Sequence, residues 1–251
     1  MVATAPTASA MLPPGHNSLK LRHAALVFTS PRSVFARIED TGAYGWAMLT
    51  LLVLVFVIGV AQVQTGLIDR DVDRRTEARL AELEESHGEL VDRVELKIRL
   101  EKAREQAVFE KLMMRIVAVG AMPGYFLASF LLIASVFYAL VALTGRKPEF
   151  HTLMSICVHA GFIELVGCAV GLAMMLAYKT TAVDTSLSGL GTGKLAGVLS
   201  GVDPFRIWFW ILVGMGLVIT RQLSRRMAIG SCVVLGLLAM GIRAAIGYAA
   251  A

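Results

Sequence analysis

Very few side chains in this sequence stand where they could do chemistry, and Glu164 is the clearest of them. It lies about ten residues into an otherwise uncharged stretch from Ser155 to Tyr178. An ionisable group at that depth in an apolar span is costly, and it points to an ion or proton site or to a buried charge pair. His159 precedes it by five residues, which on a helix turns it to roughly the opposite side, so the two form no obvious relay. Arg243 is the natural partner cation. Only sixteen residues separate it from Arg226, and three readings stand open. Arg243 snorkels to the outer interface, or it pairs structurally with Glu164, or Glu164 belongs to a proton-coupled site.

Other patterns carry less. Cys157, Cys168 and Cys232 lack the paired spacing of a zinc site or a disulfide framework, and read as small apolar packing residues. Gly189-Leu-Gly-Thr-Gly-Lys194 superficially looks like a phosphate-cradling loop. A true one needs glycine where Ser188 stands and Ser or Thr where Leu195 stands. No nucleophile–base pair or metal cluster is present. The sequence therefore predicts no catalytic, cofactor-binding or metal site, and no nucleic-acid partner.

Composition sets what must position Glu164. The 251 residues are 56% hydrophobic and 17% charged, with a mean hydropathy of +0.67. Soluble domains carry about 25% charged residues. Of 43 charged side chains, 24 fall between Asp69 and Arg115, too uneven to solvate a globule. An ordinary cytosolic enzyme, a disulfide scaffold and a disordered chain are excluded. An all-α, polytopic membrane bundle is expected, with about five spans at Tyr44–Val63, Ile116–Leu143, Ser155–Tyr178, Pro204–Thr220 and from Met227 onward. Asp203 suits the N-cap of the fourth span and Pro204 its first position. Gly120/Gly124 and Gly167/Gly171 each put small residues on one helix face, for packing against other spans or a second copy of the chain. Pro123 predicts a kink.

Residues 1–43 form a basic tail without a secretory leader. Within it, residues 31–39 predict a short amphipathic helix on the membrane, with Val34, Phe35 and Ile38 turned inward. Residues 44–251 form the membrane domain, and 66–115 insert between its first two spans. After Gly66 this insert has no proline and one glycine, Gly88, with eleven basic and thirteen acidic residues. It reads as a charged helical hairpin turning near Ser86-His87-Gly88, or as a single bent helix. A strict coiled-coil heptad fails. Basic residues in the tail, at Arg146 and Lys147, and at Arg221, Arg225 and Arg226 place the N-terminus in the cytoplasm and the C-terminus outside.

From residue 146 onward the chain resembles a known family. The run begins with Gly145-Arg-Lys-Pro-Glu-Phe150 feeding Leu153-Met-Ser-Ile-Cys-Val-His-Ala160. It continues through Ser186-Leu-Ser-Gly-Leu190 and Val202-Asp-Pro-Phe-Arg-Ile-Trp208, and closes with Arg221-Gln-Leu-Ser-Arg-Arg-Met-Ala228. This is similar to the Yip-domain family of five-span membrane proteins, in its bacterial branch. Asp203, Pro204, Phe205 and Trp208 carry the most specific element, and the likeness covers roughly residues 115–245. Members often have an aromatic-Ala pair and a nearby proline in the third span. Here His159-Ala160 and Phe162-Ile-Glu164 stand instead, without proline, so the likeness leaves Glu164 unexplained.

The resemblance implies eukaryotic relatives that bind Rab-type GTPases in vesicle traffic. It also implies bacterial members that accompany ABC-type exporters or envelope-stress systems. It brings no catalytic motif. The expectation is a non-enzymatic accessory or scaffold protein of the bacterial inner membrane. Its partners are the lipid bilayer and a membrane protein (an ABC-type permease) reached through the hairpin. The alternative is a small transporter or ion pathway centred on Glu164.

Overall fold

The computed structural model describes residues 26–41, 44–86, 93–181, 183 and 185–250. The expected turn at residues 87 and 88 and most of the N-terminal tail lie outside them. The helices are α1 (Pro31–Thr41), α2 (Gly45–Gln64), α3 (Leu67–Ser86), α4 (Arg93–Ile116), α5 (Met122–Leu143), α6 (Phe150–Tyr178), α7 (Lys194–Leu199), α8 (Pro204–Ile219) and α9 (Arg225–Ala250). Among the described residues there is no strand, and five helical stretches are long and apolar enough to cross a membrane.

The bundle is built around α6. Every residue from Thr152 to Ile163 is buried, as expected of a helix apolar all round, and α6 packs against α1, α2, α5 and α8. The neighbours each offer one stripe at helical spacing. From α2 come Met48, Leu51 and Val55, and from α5 Phe126, Phe130, Ala134, Phe137 and Val141. Their other faces expose Val53, Phe56 and Leu132, as lipid-facing surfaces do. The outermost helix is α9, which packs on α7 and α8.

Helix α1 forms as the amphipathic spacing predicts, but its apolar face is not spent on lipid. Val34, Phe35 and Ile38 are fully buried, and α1 rests on α6 and α8. Each such side chain contributes about 1.5–3 kcal/mol by burial, so α1 is part of the bundle's core.

The second span is longer than expected. A helix runs for 49 residues from Glu95 to Leu143, interrupted by one wide π-turn at Val117–Ala121. Pro123 has no N–H to give the preceding turn, and the wide turn in front of it absorbs that loss. The fourth span also differs. Asp203 caps α8 by accepting from Phe205 N at 2.9 Å, with Pro204 in the first turn. The residues before it fold as well, into a 3-10 turn at Leu187–Leu190 and then α7. Gly197 and Gly247 bring α7 and α9 so close that a Cβ on either would overlap the other's backbone. The span is therefore a helix broken at residues 200–203.

Helices α3 and α4 pack side by side as the two arms of an antiparallel hairpin. Asp69 pairs with Arg115, Asp73 with Lys111, and Arg79 with Glu110 at 3.8 Å. Ile68, Val72, Ala107 and Ala118 close its apolar seam. Its first arm leaves α2 through Gly66, whose φ of +67° favours glycine. At the opposite end of the bundle the two short basic loops meet, with Arg146 Nη1 donating to Arg221 O at 2.8 Å.

Candidate functional site

Two places gather polar groups, and both lie toward the hairpin end of the bundle. The first is the hairpin's root. Helix α6 ends at Lys179, whose φ of 55° turns the chain sharply. A non-glycine residue in that conformation costs about 1–2 kcal/mol. The turn presents Thr180 and Thr181 to Asp71 of α3. Thr181 N and Thr181 Oγ1 both donate to Asp71 Oδ2, and Thr180 Oγ1 donates to it at 3.1 Å. Asp71 is only 4% exposed, although Arg74, at 3.6 Å, stands in water. Burial alone would raise its pKa. The donors from Thr181 and Thr180, with the charge of Arg74, outweigh burial and hold the carboxyl below its ordinary value. Asp71 thus fastens the hairpin to the third span. No motif in the sequence marks it, because it is one acid in a run of thirteen.

The second place is a cavity of about 530 Å³ between the spans. Glu164 faces it from α6, and Arg243 faces it from α9. Asp203 and Arg206 border it at the start of α8, and Tyr125 borders it from α5. Gly167 opens this corner, since a Cβ there would meet the Phe205 ring at 3.0 Å. Arg206 Nη2 donates to Tyr125 Oη at 2.8 Å, and its guanidinium sits 6.0 Å from the ring centre. Asp203 is committed on both oxygens, to Phe205 N and to Thr185 Oγ1 at 3.0 Å.

Glu164 is different. Among the described residues its side chain has no hydrogen-bond or ion-pair partner, and of the nearby charges it feels Arg206 most strongly, then Arg243, with Asp203 opposing them. Arg243 likewise has no direct partner and is exposed. The structure thus brings Glu164 and Arg243 to one cavity without joining them.

His159 is not part of this cavity. It is 1% exposed, with Nδ1 2.7 Å from Ser155 O in the core. Gly171 stands at the cavity wall, 3.8 Å from Thr185 Cγ2 by its would-be Cβ, whereas Gly120 and Gly124 have open space before them. Their helix makes its close approach at Ala118 instead, against Gly59 of α2. Of the family-like element, Asp203 caps, Pro204 starts the helix, Phe205 packs on Gly167, and Trp208 faces outward at 51% exposure. Arg206, between them, is the residue that sequence reasoning missed. In the sequence it is only one residue of that element: Asp203 and Pro204 announce the start of its helix, but nothing local marks its approach to Glu164.

Among the described residues no three His, Cys, Asp or Glu side chains cluster as metal ligands. The family model of the Yip1 domain matches residues 25–246, a stretch that takes in α1, all five spans and the hairpin. No curated protein and no solved structure matches the chain.

Proposed function

The chain belongs to the Yip1 domain family, and from that premise we propose that it is a non-enzymatic accessory or scaffold subunit that offers its hairpin to another membrane protein. It is a multi-pass membrane protein with five candidate spans. The observation that carries the reading is the outward face of α4, where Val108, Phe109 and Leu112 are 69%, 65% and 54% exposed. Glu105, Glu110 and Lys111 stand among these three side chains, and an exposed apolar stripe on a polar arm marks a contact surface. The arm is anchored at both ends and fastened by Asp71, which suits it to hold a partner at fixed reach.

An ABC-type permease or another envelope complex of the bacterial inner membrane is the partner class proposed. The N-terminus is then cytoplasmic, and the hairpin and C-terminus lie outside. The two basic loops at the opposite end support this orientation. An ion pathway through Glu164 is less well supported, because the polar groups gather on the hairpin side of it and His159 is bonded into the core.

The test replaces Val108, Phe109 and Leu112 together with glutamine, which retains Asp71 and the pairs of Asp69 and Asp73. The altered protein should still insert in membranes but lose a co-purifying ABC-type permease. Retention of that permease, or its absence from the natural protein's preparation, overturns the proposal.

A further inference from the structure

The cavity at Glu164 holds two opposite charges apart, and neither is satisfied by the protein. Asp203 and Arg206, at the same wall, are already bonded to backbone, Thr185 and Tyr125. Glu164 and Arg243 have no such bonds. An unpaired charge in a low-dielectric setting costs several kcal/mol, so a bare anion would relieve Arg243 and worsen Glu164, and a bare cation would do the reverse. A ligand carrying both signs relieves the two together.

The setting says what the rest of that ligand is. Most of the wall is apolar, with Ile58, Phe126 and Leu172 among it. Its volume of about 530 Å³ falls within the ordinary range of small-ligand sites, about 300–1,000 Å³. The cavity also borders the lipid-facing surface. Tyr125 is 49% exposed, and Ile242 and Ile246, flanking Arg243 on α9, are 54% and 65% exposed. Non-helical backbone at membrane depth is tolerated where it lines such a cavity, which fits the break at residues 200–203 just ahead of Asp203.

We propose that this cavity binds the head group of a zwitterionic phospholipid bearing a primary ammonium, with Arg243 and Arg206 on the phosphate side and Glu164 accepting from the ammonium. Basic pockets between spans take lipid head groups, and the added carboxylate here supplies selectivity against head groups without an amine. The site does not depend on any protein partner of the hairpin.

The test is native mass spectrometry of the purified full-length protein after equilibration with equal amounts of phosphatidylethanolamine and phosphatidylglycerol of the same acyl chains. The natural protein should retain phosphatidylethanolamine by about tenfold, the weight of one charge-assisted hydrogen bond. Glu164→Gln should reverse the preference toward phosphatidylglycerol, a gain that an unfolded protein cannot produce. Arg243→Gln should lower retention of both lipids while the protein still elutes as a single species. Equal retention of the two lipids by the natural protein overturns the proposal, as does an unchanged preference in Glu164→Gln. Binding of soluble glycerophosphoethanolamine as tight as that of the lipid would assign the site to a water-soluble ligand and overturn it equally.

Discussion

The hairpin root and the intramembrane cavity use the same ingredients in opposite ways. At the root, Asp71 is surrounded by donors, and the arms above it are laced by Asp69–Arg115 and Asp73–Lys111. In the cavity, Glu164 and Arg243 share a space without touching. Water explains part of the difference. Exposed pairs cost little to form and contribute little, because solvent screens them. In the spans, a pair is valuable once formed, so a bundle optimised for stability alone would bring Glu164 and Arg243 into contact. The separation in the cavity is therefore the opposite of the saturated bonding at the root.

Charge reversal in the cavity should show the largest effect. Arg206→Glu would place a third carboxylate beside Glu164 and Asp203 and remove the cation that Glu164 feels most. A loss of several kcal/mol, the scale of an uncompensated charge held away from water, is expected as a fall in the thermal midpoint in detergent. A midpoint close to that of the natural protein would show that these charges are solvated, and would dissolve the contrast with the root.

Asp71→Ala comes next. It strands the Thr181 N–H and two hydroxyls, at a cost of about 1–3 kcal/mol. Hydrogen exchange should rise at Thr181 and along α3, with the spans unchanged. The same carboxylate predicts an acid response. Its pKa is lowered by folding, so its contribution is complete at neutral pH and is lost as pH falls below about 4, the ordinary Asp value, through the lowered one. Exchange at Thr181 should increase over that window in the natural protein, and Asp71→Asn should flatten the response.

The smallest effect is expected for Arg115→Ala. Its partner Asp69 is solvent-accessible, so the thermal midpoint should stay within measurement scatter. A clear drop would mean that the lacing, as well as the root, holds the arms.

The spans could be read from the sequence because hydrocarbon imposes length and apolarity on each one separately. Asp203 and Pro204 were equally legible, since a cap is a local interaction. The cavity was half legible. Glu164 and Arg243 stand out as charges in apolar runs, but Arg206 owes its place to Gly167 admitting Phe205 and to Tyr125 on α5. Those are contacts across more than thirty residues, with no local sign. The fastening of Asp71 to Thr180 and Thr181 likewise depends on where α6 ends and which way Lys179 turns. The inward face of α1 was visible as a pattern, but the pattern alone does not distinguish lipid from protein as the apolar medium it meets.

The long helix from Glu95 to Leu143 has a mechanical side. It bears against α2 where Ala118 meets Gly59, close to its midpoint. At 1.5 Å per residue the length on each side of that point is about 35–38 Å. The wide turn at Val117–Ala121 falls at that same point, and the half beyond it is held against α2 and α6. The helix is thus two arms of nearly equal length joined where it rests on α2, one clamped in the bundle and one standing clear of it.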